Sequence, residues 1–190
     1  MVPPGNWYID CNLGITGEVV FTGGDVVFAG DVSTTSNAVL AVNATHPGLF
    51  PGSSPSVVFF QSGDLSKAGQ SSIHFLNSLV YFSSTSENVF SGGTGAIRWS
   101  APLTGDFEDL ALWSDSPESH RFSGSASLQL EGLFFVPHGE VDYRGNGYQN
   151  QVAAQFISNS LSVGGNGLLI LSPDLDRSVL LPAPGVTLIR

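Results

Sequence analysis

The stretches GEVDYRGNG (139–147) and SNSLSVGGNG (158–167) end on the same triplet, and Gly145-Asn146-Gly147 lies 20 positions before Gly165-Asn166-Gly167. Val141 and Tyr143 fall on the same phase as Leu161 and Val163, and in RFSGS the pair Phe122 and Gly124 lies 21 positions before Tyr143 and Gly145. A chain that repeats both its turn and its alternation at one period puts like residues in like places. It therefore predicts stacked coils, with Gly124, Gly145 and Gly165 at one corner of successive coils. Gly and Asn suit such a corner because both tolerate positive φ. A shorter echo, EVVFTG (18–23) and DVVFAG (25–30), recurs after seven positions. Seven is about a third of the longer period, so each coil is expected to have three sides, each sending alternate residues inward.

The expected fold is all-β: a right-handed parallel β-helix with coils of about 20 residues, the hand following the rule for parallel crossovers. Phe134 and Val136 match Ala154 and Phe156 after 20 residues, so these four, together with Ile170, are expected to face inward. Length supports one domain over 1–190, since 190 residues make one substantial core. THPGLFPGSSPS (45–56) reads as a loop protruding from the coil, and the tail 172–190 as a cap over the last coil's open edge. Composition agrees, with 42% apolar residues, 12% charged residues and 23 glycines, which suits turn-rich β-structure better than helices.

The net charge of −10 argues against nucleic acid and anionic membranes as partners. The N-terminus lacks the basic start and apolar core of a secretion signal, and no run of 18 apolar residues occurs, so an anchor or export signal is expected outside this sequence. Cys11 is alone, and a buried thiol is expected.

Candidate chemistry is sparse. Asp106, Glu108, Asp109, Asp115 and Glu118 form the densest carboxylate group, capable in principle of holding calcium or acting as a glycosidase pair. They lack an Asp-x-Asp-x-Asp-Gly spacing and read as a solvated acidic loop. His46, His74, His120 and His138 are dispersed, with His74 expected to point outward between Ile73 and Phe75, and His138 to sit at a corner after Pro137. Arg98, Arg121 and Arg144 would line one face if the coils stack in register, but pairing with carboxylates is the favoured reading. Trp7, Trp99, Trp113 and the four tyrosines offer a sugar-stacking surface, although core packing is expected of Trp99 and Trp113. Asn43-Ala44-Thr45 matches a glycosylation acceptor pattern, which would carry no weight if the protein were bacterial. No catalytic residue, metal ligand or cofactor site is assigned.

From Gly95 to Leu171, GAIRWSAPLTGDFEDLALWSD, RFSGSASLQLEGLFFVPHGEVDYRGNG and AQFISNSLSVGGNGLLIL resemble the C-terminal region of bacterial TadG-type proteins of the tight-adherence (Flp) pilus system. The order of parts carries the resemblance: the turn Ala101-Pro102-Leu103-Thr104-Gly105, the strand Leu110-Ala111-Leu112-Trp113, then Gly132-Leu133-Phe134-Phe135-Val136-Pro137 and the paired Gly-Asn-Gly. The family's Tyr-Ala-Pro is Phe135-Val136-Pro137 here, and its N-terminal anchoring segment has no counterpart. The resemblance implies a non-enzymatic extracellular or cell-surface module, structural or adhesive, with other pilus or envelope proteins and surface glycans as partners. The alternative is a carbohydrate-binding or carbohydrate-active β-helix, which would show a cleft with clustered carboxylates and exposed aromatics. An ice-binding face is disfavoured, because no Thr-x-Thr ladder repeats.

Overall fold

The structure is a computed structural model, and it describes residues 1–45, 49–124, 127–145, 150–165 and 169–178. These contain strands and turns but no helix. Most strands are only three to five residues long and pair with strands about one coil away in sequence. The strands lie parallel in one curled sheet that resolves into three ladders. The first ladder stacks Trp7–Ile9, Val26–Phe28, Ser56–Phe60, Ser78–Phe82 and Leu110–Ser114 in that order. The second stacks Leu13–Ile15, Val32–Thr34, Leu65–Lys67, Asn88–Phe90 and Ser119–Gly124. The third stacks Glu18–Phe21, Val39–Val42, Ser72–Phe75 and Ile97–Ser100. The long strands Leu128–Gly145 and Asn150–Gly165 bend through all three.

The seven-residue echo thus marks adjacent sides of one coil, since Glu18–Phe21 and Val26–Phe28 belong to different ladders. The glycine spacing marks corresponding places in successive coils: Gly124 lies opposite Gly145, and Gly145 opposite Gly165. At Gly165 the φ of 92° and a Cβ that would run into the Gly145 carbonyl oxygen both require glycine. Asn146, Gly147, Asn166 and Gly167 lie outside the described residues.

The coil length is not constant. Trp7 lies opposite Val26, 19 positions on, and Ile73 opposite Ile97, 24 on. Val26 lies opposite Val58, and Val80 opposite Leu112, 32 on in each case. The surplus is two excursions, 43–55 and 101–109, both leaving where the third ladder hands over to the first. In the first of them Ala44–Thr45 and Phe50–Pro51 form a small antiparallel pair.

The interior is built by alternation. Phe28, Phe60 and Phe82 follow one another up the first ladder with ring centroids 5.1 and 4.6 Å apart, and Trp99 contacts Phe75, Phe122 and Phe134. The expected pairing at the end of the stack is off by two residues. Phe134 lies opposite Phe156 and Ala154 opposite Gly132, because 137–139 face a single residue, 159, and the 20-residue offset holds only beyond that bulge. Phe134, Val136 and Ala154 are buried as expected, while Phe156 is half-buried against Phe134. Ile170 is corrected: Leu169 packs against the core, so alternation turns Ile170 the other way.

Some interior positions are polar. His120 is fully buried with Nδ1 2.7 Å from Asn88 Oδ1 and Nε2 2.7 Å from Ser114 Oγ. The Asn88 amide already donates to the Arg121 carbonyl, so its oxygen accepts from Nδ1–H, and Ser114 donates to Nε2. The ring is held neutral. Burial depresses its pKa from 6.5 to about 4. Lys67, the chain's one lysine, is also buried, with Nζ 3.4 Å from the Gly92 carbonyl, and burial lowers its pKa.

Phe60→Ala should cost about 3–5 kcal/mol, since the ring is clasped by Phe28 and Phe82. Phe156→Ala should cost clearly less; chemical denaturation of both variants checks the difference. The His120 shift predicts a pH dependence. The unfolded chain takes up a proton near pH 6.5 and the folded one only near pH 4, so stability should fall as pH drops through that window and level off below it. His120→Gln should remove about half of the histidine part of this slope in melts across that range, because His74 is depressed to about the same value.

Candidate functional site

Alternation that sends Phe28, Phe60 and Phe82 inward sends their neighbours outward. The outward row of the first ladder runs Tyr8, Val27, Phe59, Tyr81, Trp113, Phe135 and Ile157, each opposite the next. Phe59 and Tyr81 are 5.0 Å apart by ring centroid, Tyr81 and Trp113 6.3 Å, and Trp113 and Phe135 5.9 Å. Trp113 is 37% exposed and Tyr8 61%. Within this apolar row Phe59, Tyr81, Trp113 and Phe135 form a continuous aromatic stripe, one side chain per coil.

Asp115 fixes its middle. The Tyr81 hydroxyl donates to Asp115 Oδ2 at 2.5 Å and the Trp113 indole N–H to Oδ1 at 2.9 Å. The hydrogen bond to this carboxylate, with burial and the Asp115 charge behind it, raises the Tyr81 pKa to about 12. The phenol therefore stays protonated, and both rings are oriented before any ligand arrives.

The excursions turn the stripe into a groove. Asn77, at φ 51°, sits at their shared corner; its amide donates to the Gly52 carbonyl (3.0 Å) and its oxygen accepts from the Leu103 N–H (2.9 Å). Asn43, at φ 55°, donates to the Asn77 carbonyl (3.1 Å) and to Ser54 O (2.9 Å). With 101–109 pinned in this way, Phe107 stands beside the stripe, 42% exposed. Phe107, Val57 and Leu79 on one side and the rings on the floor enclose an open groove of about 650 Å³, with Asp25 at its rim. Among the described residues no Lys or Arg lines it.

The residues singled out in the sequence fall as follows. Trp99 is a core residue, its N–H donating to the Ala111 carbonyl. Trp113 is corrected: it occupies an outward position, because Leu112 takes the inward one opposite Val80 and Phe134. Trp7 is exposed, with its N–H on the Pro3 carbonyl. Cys11 is also corrected, since it lies exposed at the corner after Trp7–Ile9 rather than in the core.

The carboxylates are not one cluster. Asp106 and Glu108 lie exposed on the second excursion, Asp109 pairs with Arg177 of the tail, Asp115 serves the stripe, and Glu118 lies at the next corner. Among the described residues no three His, Cys, Asp or Glu side chains converge on a point where a metal could sit. Arg121 and Arg144 both pair with the buried Asp142 at 2.9 Å, while Arg98, on another ladder, donates to the Leu49 carbonyl.

His74 does point away from the coil interior, but it is buried rather than solvated. Ala41 and Arg98 flank it in the ladder, and Ala44 and Leu49 of the first excursion pack over that row at Ala41. Burial and the Arg98 charge lower its pKa to about 4. His138 is exposed in the bulge, and His46 lies outside the described residues. Asn43 of the acceptor pattern is buried, with its amide nitrogen donating to the Ser54 and Asn77 carbonyls. The tail residues 173–178 lie beside Glu131, Gly132, Ala153 and Gln155, and 179–190 are outside the described residues.

No protein-family model, curated protein or solved structure matches this chain. What defines it is its geometry: an all-β chain of stacked parallel strands with an aromatic groove on one of three faces.

Replacing Asp115 by Ala should bring the Tyr81 titration down from about 12 toward the usual 10, read from phenolate absorbance. It should also make Trp113 fluorescence more mobile, with little change in fold because Asp115 lies outside the core.

Proposed function

We propose that this chain is a non-enzymatic adhesive module of the cell surface, a right-handed parallel β-helix whose first-ladder groove makes the contact. The single observation that carries this reading is the row of partly exposed rings repeated coil after coil and walled by Phe107. A monomer that leaves such an apolar stripe in water has a partner for it. The right hand rests on the general rule for parallel crossovers. The resemblance to TadG-type proteins is what supports an association with tight-adherence pili, where a stiff acidic stack would hold the groove away from the envelope.

The groove's chemistry favours holding over turnover. The acidic side chain lining it is Asp25, which accepts the Val57 N–H, and Asp115 behind its rings is taken up by Tyr81 and Trp113, so the two are not poised as an acid–base pair. The histidines with depressed pKa lie elsewhere, His120 inside the coil and His74 on the third ladder.

Beads carrying the purified chain, incubated with biofilm matrix, test both halves of the reading. The chain should be retained without releasing soluble sugars, and Trp113→Ala combined with Phe107→Ala should reduce retention about tenfold. Release of sugar that these substitutions abolish would overturn the non-enzymatic reading. Undiminished retention of the double variant would remove the groove from it.

A further inference from the structure

We infer that the groove's ligand is an uncharged glycan chain lying along the stack, about one sugar unit per coil; this rests on the adhesive reading above. Three observations lead there.

The first is the character of the floor. It is the face of a sheet, and the backbone N–H and C=O groups of its strands are already paired in the ladders. A polypeptide strand laid on it would find no edge to extend, so its own amides would go unpartnered. A pyranose chain carries no such obligation along its backbone. It offers C–H faces to the rings and directs its hydroxyls sideways.

The second is the rim. Asp25 lines the groove, and Asp115, bonded to the polar ends of the lining residues Tyr81 and Trp113, uses one lone pair of each oxygen on them and keeps acceptor capacity for a sugar hydroxyl. Both are negative and no cation among the described residues balances them there. A uronate, sulfated or phosphorylated chain would be repelled, and a neutral one would not.

The third is the period. Phe59, Tyr81, Trp113 and Phe135 succeed one another at 5.0, 6.3 and 5.9 Å. That is close to the length of one pyranose in an extended chain, so successive units can meet successive rings. Tyr81 and Trp113 are preset by Asp115, which lowers the entropy lost on binding.

Intrinsic tryptophan fluorescence and calorimetry with defined oligosaccharides test this. The neutral probes are cello-, manno- and xylo-oligosaccharides, and the anionic one is oligogalacturonate. At least one neutral series should bind, more tightly with each added unit until the rings are covered, and with little dependence on salt. Trp113→Ala and, on the separate excursion, Phe107→Ala should each weaken it about tenfold while leaving the thermal midpoint near that of the parent. Binding of oligogalacturonate as tight as the best neutral series would overturn the ligand class, as would neutral binding indifferent to both substitutions. Failure of every neutral series also overturns it. If the chain is then still retained on matrix through Trp113, only the ligand class has failed; if retention is lost as well, the adhesive reading has failed with it.

Discussion

Everything in this molecule depends on hydrogen bonds made one coil away. A strand of three residues such as Val26–Phe28 has no local partner, neither a helical i to i−4 bond nor a hairpin return, and it is stable only between Trp7–Ile9 and Ser56–Phe60. The same demand governs the corners, where backbone donors have left the ladders. At the corner after the first ladder, Asn12 accepts from the Asp31 N–H, Asp31 from the Asp64 N–H, and Asp64 from the Glu87 N–H, at 3.0, 3.1 and 3.0 Å. Part of the acidity of the chain is therefore architectural. These short acceptors close the turns of successive coils, as side-chain caps close a helix end.

The two excursions break the equivalence of the three faces. Both emerge at the corner where Asn43 and Asn77 hold positive φ, and Asn77 belongs to the uninserted coil between them, so one amide side chain holds an excursion on either side. Ala44 and Leu49 of the first excursion pack with Ala41 on the third ladder, and the second excursion sets Phe107 against the first. One face is partly covered and another is deepened by the same local device.

The parallel stack was legible because its signals are periodic. The spacing of Gly124, Gly145 and Gly165 and the Val141/Tyr143 to Leu161/Val163 phase both read out as register. The groove was not legible. Phe59, Tyr81 and Trp113 stand 22 and 32 positions apart, so no fixed period links them, and the surplus between the last two is the excursion that supplies Phe107. The sequence points Trp113 to the core for the related reason that alternation fixes which residues share a face but not which face is the inner one. Leu112 settles that by lying opposite Val80. The two-residue error at Phe134 and Phe156 has a local cause as well: a bulge at 137–139 is invisible to a repeat counted between glycines on one side of it.

The burial of Lys67 has a practical side. It is the chain's one lysine, and it points into the stack with its ammonium near the Gly92 carbonyl. Amine-reactive reagents and trypsin can reach that side chain only when the coil around it opens. The rate of its acylation in native buffer, compared with that of the unfolded chain, therefore measures the free energy of opening a single internal coil. In a stack whose stability is a sum of neighbour-to-neighbour terms, such a reporter inside the molecule separates the opening of one layer from the fraying of its ends.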